Sequence, residues 1–192
     1  MSEFKAILLA AGYGSRFDPL GVRNKLLQPL PDGCAVAVAS AASLLAIMPQ
    51  VLAVVRPEAD QLRAELQAIG CEVVSCVHAA DGMGATLAHA VQQSMHAAGW
   101  VVALADMPYL KPGTILARLD ALRSGADIAA PVYRGRRGNP VAFSRIHLSE
   151  LLQLSGDVGA RRLLQDYPVQ WVQVDDPGIH LDIDRPQDLL FH

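Results

Sequence analysis

Glycines at 12 and 14, Ser15 and Arg16, and a lysine at 25 follow directly on an apolar run from Phe4 to Ala11. That combination can hold a polyphosphate. Glycines without a Cβ let backbone N–H groups approach oxyanions, and cations at Arg16 and Lys25 would neutralise them. Spacing excludes two common phosphate loops. The dinucleotide fingerprint needs a third glycine where Phe17 stands, and the P-loop needs Ser or Thr where Leu26 follows Lys25. What remains is a strand ending in Leu9-Ala10-Ala11-Gly12, a small loop, Ser15-Arg16, and Lys25 leading into Leu26-Leu27-Gln28-Pro29-Leu30. The competing reading is an ordinary strand-to-helix turn with solvated cations.

Carboxylates supply the second half of a phosphate chemistry. Asp106 ends the apolar segment 101–105, and Pro108 stops the strand behind it. A hard oxygen ligand beside a phosphate site suits Mg²⁺, whereas a turn-forming or helix-capping Asp is the plainer alternative. Asp182 and Asp184 alternate onto one face of an extended segment, opposite Ile183. Pro186 fits the first turn of a helix, which makes Asp184 the candidate cap and leaves Asp182 as the metal ligand by elimination. Asp188 is expected to be a solvated helix residue.

Three further segments carry candidate binding groups. Asp81-Gly82-Met83-Gly84 opens a helix with glycines on which a base or ribose could lie. Arg134, Arg136 and Arg137 sit at the tip of a hairpin before Asn139, and could receive an anionic second substrate or be solvated. Gly156-Asp157-Val158-Gly159-Ala160-Arg161 feeds a helix, with Arg161 shaping an acceptor pocket or Asp157 serving as a cap. The segment 17–24 contains Pro19 and Gly21 and shows no apolar face to bury. It is expected to be mobile until a triphosphate clamps it at Arg16 and Lys25.

Alternating patterns must position these groups. Apolar runs predict strands at 5–10, 51–55, 72–76, 101–105, 128–132, 141–143 and 169–174. Helical periodicity covers 35–47, 58–69, 84–98, 112–123, 147–154, 160–166 and 186–191. The alternation predicts an α/β chain in three layers, α/β/α, with helices on both faces of a mostly parallel sheet. Ligands in such sheets bind at the carboxyl ends of the strands, where the glycine loop, Asp81–Gly84 and Asp106 all fall. The 192 residues, 52% of them hydrophobic, suit one domain spanning 1–192 with a buried core. A net charge of −3 argues against nucleic-acid or membrane-surface binding. No apolar run is long enough to span a bilayer, and the N-terminus lacks a signal-peptide layout. Cys34, Cys71 and Cys76 make no even set, which points to a reduced, cytoplasmic protein. The six histidines show no zinc-site spacing.

The motifs together resemble the molybdenum cofactor cytidylyltransferase family, within the group that includes the molybdopterin-guanine dinucleotide synthases. The matching residues are Leu9-Ala10-Ala11-Gly12 with Arg16 and Lys25, Gly82-Met83-Gly84, Asp106-Met107-Pro108, Gly138-Asn139-Pro140-Val141-Ala142-Phe143, Gly156-Asp157-Val158-Gly159-Ala160-Arg161 and Asp182-Ile183-Asp184-Arg185-Pro186-Gln187-Asp188-Leu189. They run in family order over nearly the whole chain. The resemblance implies a Rossmann-like fold of the nucleotide-diphospho-sugar transferase type, a nucleoside triphosphate donor, Mg²⁺ and release of pyrophosphate. Leu-Ala-Ala-Gly and Gly-Asp-x-Gly-Ala-Arg look more like the cytidylyl branch, which implies CTP and a phosphorylated acceptor such as molybdopterin. It also implies delivery of the product to a molybdoenzyme or its chaperone. Two departures stand out: nine positions separate Arg16 from Lys25, a longer interval than the family's, and Asn139 replaces a frequent His. A different phosphorylated acceptor, or a non-catalytic cofactor-delivery module, are the alternative readings.

Overall fold

A computed structural model describes residues 3–157 and 159–190. Its centre is one mixed sheet built from β1 (Lys5–Ala10), β2 (Val51–Val55), β3 (Glu72–Ser75), β4 (Gly99–Leu104), β5 (Ile128–Tyr133), β6 (Arg136–Arg137), β7 (Val141–Ser144) and β8 (Gln170–Gln173). The order is β3-β2-β1-β4-β7-β5-β6, with β8 also paired to β5. Strands β3, β2, β1 and β4 are parallel, β7 runs antiparallel to both β4 and β5, and β8 is parallel to β5. The sheet is therefore mostly parallel, with helices on both faces.

Continuous apolar strands are what two covered faces require. In β1, Ala6, Leu8 and Ala10 pack with α1 (Val36–Leu45), α2 (Asp60–Ala68) and α4 (Pro112–Arg123). Ile7 and Leu9 alternate to the other face, against α3 (Met83–Gln93), α5 (Leu148–Leu152) and α6 (Leu163–Asp166). Trp100 and Phe143, paired across β4 and β7, are fully buried on that second face. Each such large side chain stabilises the fold by roughly 1.5–3 kcal/mol.

The long elements match their periodicity and the ends differ for local reasons. Helix α3 stops at Gln93 rather than continuing to 98, because Ser94 Oγ bonds back to Ala90 O at 2.8 Å and accepts from Trp100 Nε1 at 2.9 Å. The helices expected at 147–154 and 160–166 shrink to single α turns preceded by 3₁₀ turns at Arg145–His147 and Gly159–Arg161. That expected at 186–191 is a 3₁₀ turn, Pro186–Leu190, and residue 191 lies outside the described residues. Three more 3₁₀ turns, Lys25–Leu27, Ala79–Asp81 and Pro177–His180, are too short for any periodicity to reveal. The arginine hairpin does form. Arg134 (φ 49°) and Gly135 (φ 77°) make its two-residue turn between Tyr133 and Arg136.

Candidate active site

The loop after β1 is shaped by Gly14, whose φ of +64° is a left-handed conformation. Its carbonyl accepts from the N–H groups of Phe17 (2.8 Å) and Asp18 (3.0 Å). Upstream, the N–H groups of residues 12–16 donate no hydrogen bond among the described residues, so they are available to an anion. The segment 17–24 is more organised than its sequence suggests. Phe17 is buried, and Asp18 gathers the N–H groups of Arg23 (2.7 Å) and Leu20 (3.1 Å). The Arg23 N–H, opposed by burial and joined by the Leu20 N–H, holds the Asp18 carboxyl below its ordinary value. Asn24 then accepts from Leu26 N at 3.0 Å and caps the turn that aims Lys25 inward. A Cβ on Gly14 would lie 3.4 Å from Lys25 Cγ, so the loop rests on the lysine stem.

Lys25 is the centre of a charge cluster. Its Nζ donates to Asp106 Oδ2 at 2.6 Å and to Ile183 O at 3.0 Å, and lies 3.6 Å from Asp184 Oδ1. Arg16 Nη1 grips the other oxygen of Asp184 at 2.8 Å. Asp106 stands two residues beyond β4, where Ser40 Oγ lies 2.9 Å from Ala105 O and Ile183 N donates to Asp106 O at 2.8 Å. Its second oxygen, Oδ1, is buried with no hydrogen-bond partner among the described residues. The 182–184 segment corrects one expectation. Asp184 is not a helix cap but an ion-pair partner, and Asp188 is the capping residue, accepting from Asp184 N (2.9 Å) and Arg185 N (2.6 Å). The elimination that singled out Asp182 therefore loses its premise. Asp182 forms no salt bridge among the described residues. It is exposed and lines a separate cavity with Tyr109, His180 and Asp184; partial desolvation raises its carboxyl, helped by the charges of Asp184 and Asp106 and opposed by a backbone hydrogen bond and Lys25.

A cleft of about 290 Å³ opens between these groups and the start of α3. Leu9, Ala11, Gly12, Gly14, Lys25 and Asp106 form one side, and Gly82, Met83 and Thr86 the other. Leu9 and Leu104 are register partners that reach the cleft by alternation, whereas Ala10 turns to the opposite core and is not part of it. Ser15 lines the outer side of its loop. Gly82 and Gly84 are not open platforms. A Cβ on Gly84 would meet Ser155 O at 2.7 Å, and one on Gly82 would meet Gly156 C at 2.5 Å. Their smallness lets the 155–157 loop dock on the start of α3, where Gly84 N donates to Gly156 O at 2.7 Å. Met83, half exposed, is the residue of that trio that faces the cleft most fully.

A second compartment, also about 290 Å³, adjoins the first and shares Leu9, Met83, Leu104 and Asp157 with it. Arg137, Asn139 and Arg161 line it. Arg136 does not. It projects elsewhere, and its carbonyl, like that of Arg137, lies 3.2 Å from His180 Nε2. Two residues were not singled out from the sequence for the places they hold. Asp157 stands at the junction of the two compartments. Tyr13, at the cleft mouth, is covered by Arg56, whose guanidinium lies 4.5 Å from its ring centroid. The hint for both was their position between glycines.

Residues 6–173 match the family model of the MobA-like NTP transferase domain, and the chain belongs to that family. Among solved structures, Rv0371c from Mycobacterium tuberculosis H37Rv is 27% identical with a TM-score of 0.83, covering 97% of this chain and 95% of that one. Its complex with manganese gives 26% identity and a TM-score of 0.79 over 97% and 96% of the two chains. A nucleotidyl transferase from Methanothermobacter thermautotroptrophicus, at 22% identity and a TM-score of 0.81 over 99% of this chain and 95% of that one, shares the fold. A comparison with curated proteins gave no match. No helix among the described residues is long and apolar enough to cross a membrane.

Proposed function

We propose that this family member transfers a cytidylyl group from CTP to a phosphate-bearing acceptor, molybdopterin or the molybdenum cofactor, with release of pyrophosphate. One observation carries the reading: two adjoining compartments share a wall, with Lys25 in one and Arg137 and Arg161 in the other. A triphosphate and an anionic acceptor would meet at the shared residues Met83 and Asp157. The choice of CTP rests on Leu9-Ala10-Ala11-Gly12 and on the Gly156–Arg161 segment, which resemble the cytidylyl branch.

The free N–H groups of residues 12–16, with Arg16 and Lys25, would bind the β- and γ-phosphates. Arg137, Asn139 and Arg161 would hold the acceptor phosphate in line with the α-phosphorus. An oxygen of the acceptor phosphate attacks that phosphorus, a new P–O bond forms, and the bond to the β-phosphate bridging oxygen breaks. Pyrophosphate carries away the electron pair. The nucleophile is already ionised, so the protein's task is alignment and charge stabilisation, and no general base is required.

Asp106 and Asp182 would hold Mg²⁺. One oxygen of Asp106 is buried without a donor among the described residues, and Asp182 is an exposed carboxylate within electrostatic reach of Asp106, Asp184 and Lys25, with no salt bridge among the described residues. No three His, Cys, Asp or Glu among the described residues form a metal-binding group. Two carboxylates completed by substrate phosphates is the usual Mg²⁺ arrangement. When bound, the ion would neutralise charge developing on the phosphoryl oxygens. Pyrophosphate release should be measured with each of the four nucleoside triphosphates and molybdopterin. CTP should exceed GTP by at least about tenfold, near 1.4 kcal/mol. GTP favoured by that margin overturns the choice of base, and no release with any phosphorylated acceptor overturns the transfer.

A further inference from the structure

Lys25 is an unusual residue to find in the position it holds. Its side chain is only 10% exposed, and its ammonium lies among oxygens of Asp106, Ile183 and Asp184 at 2.6, 3.0 and 3.6 Å. Asp106 is also a carboxylate that a divalent ion would seek. Asp184 is held by the exposed Arg16 as well, so the two carboxylates at 106 and 184 are answered by two cations. A divalent ion approaching Asp106 therefore meets a positive charge already seated on it. At the short distances of such a cluster, repulsion between cations is a substantial energy even at intermediate dielectric.

The lysine stem is packed on the loop that faces the phosphates, at Gly14. The available N–H groups of residues 12–16 belong to that same loop. Side-chain torsions of the flexible lysine stem could carry Nζ from Asp106 to a phosphate oxygen, with no rearrangement of the sheet. A triphosphate would likewise draw Arg16 away from Asp184.

We infer that Lys25 is a resident counter-cation: it fills the charge of the metal site in the nucleotide-free protein, and a divalent ion and a triphosphate load together because the triphosphate takes Lys25 over. The inference rests on the nucleotide-site reading above and adds a binding order to it. Two consequences follow. Metal alone binds weakly, and each ligand strengthens the other by the same factor.

The test is Mn²⁺ binding, followed by the electron paramagnetic resonance signal of the free ion and by calorimetry, with and without α,β-methylene-CTP. The wild-type protein should bind Mn²⁺ at least about tenfold more tightly with the analogue than without, within the range usual for coupled sites. Lys25→Gln keeps donors for Asp106 and Ile183 O but removes the charge. It should bind nucleotide-free Mn²⁺ about tenfold more tightly than wild type, and the coupling to the analogue should shrink. Lys25→Met should do the same; if it does not fold, Lys25→Gln decides. The double variant Lys25→Gln/Asp106→Asn should lose the gain, and a gain that persists would place the ion elsewhere and overturn the inference. If Lys25→Gln binds Mn²⁺ no better than wild type while the wild type still takes Mn²⁺ with the analogue, the counter-cation role fails and the nucleotide site stands. If the wild type takes up neither ligand, the nucleotide-site reading fails and the inference falls with it.

Discussion

Asp176 and Asp106 are carboxylates that the fold treats in opposite ways. Asp176 is 1% exposed, and both of its oxygens are used. Oδ2 accepts from Thr114 Oγ1 at 2.7 Å and Lys111 N at 2.9 Å, and Oδ1 accepts from Gly178 N at 2.9 Å. The group ties the start of α4 to the Pro177–His180 turn. Asp106 has one oxygen on Lys25 and the other buried without a donor among the described residues. A carboxylate with both oxygens engaged by protein donors is a structural tie, because little is left for a ligand to gain. One left partly unsatisfied at a strand mouth, beside a buried cation, is held ready for a ligand.

The sharpest contrast is between the two substitutions. Asp106→Asn should lower turnover by roughly a thousandfold, near 4 kcal/mol of transition-state stabilisation, while the melting temperature stays near wild type. The asparagine oxygen still accepts from Lys25, so the pair is not left as a bare buried charge. Asp176→Ala should do the reverse. It strands a hydroxyl and two backbone N–H groups, which should cost about 3 kcal/mol in urea unfolding, with the folded fraction retaining its specific activity. Equal melting losses in the two variants would erase the distinction.

The same logic separates the hairpin arginines. Arg137 and Arg161 line the second compartment and Arg136 does not. Arg137→Ala and Arg161→Ala should each raise the acceptor KM about tenfold, as loss of a charge-assisted hydrogen bond does, with the CTP KM little changed. Arg136→Ala should leave both constants nearly unaltered. A CTP-specific effect of Arg137→Ala would move that residue to the donor side.

The smallest effect belongs to Asp18, a third carboxylate and a local one. Its folded-state value is lowered mainly by the Arg23 N–H. Its contribution to the loop is therefore present above the ordinary value of 3.8 and is lost as pH falls through the lowered folded value. Hydrogen exchange at Leu20 and Arg23, corrected for intrinsic rates, should lose protection in that acid window. Asp18→Asn should show weaker protection at neutral pH with little change in global stability. Protection unchanged in both would mean that Asp18 does not organise the loop.

Much of this was legible along the chain. The sequence places β1, β2 and α4 with their observed bounds, because a strand buried on both faces reads as a continuous apolar run, and α4 is delimited by Pro112 at its start and Ser124-Gly125 at its end. The glycine loop, Asp106 at a strand mouth and the opposition of Ile183 to Asp182 and Asp184 are equally local, each depending on residues within a few positions. The contacts that define the site are not local. Lys25 and Asp106 are 81 residues apart, and Arg16 and Asp184 are 168 apart. Whether Asp184 caps a turn or pairs with arginine, and whether Ala10 or Ala11 reaches the cleft, depends on strand register and on which helix covers which face. The glycines at 82 and 84 are small because another loop lies on them, and sequence spacing cannot show which surface will arrive there. Periodicity is set by neighbours along the chain, whereas the pairing of charges is set by the sheet order that brings distant strand ends to one edge.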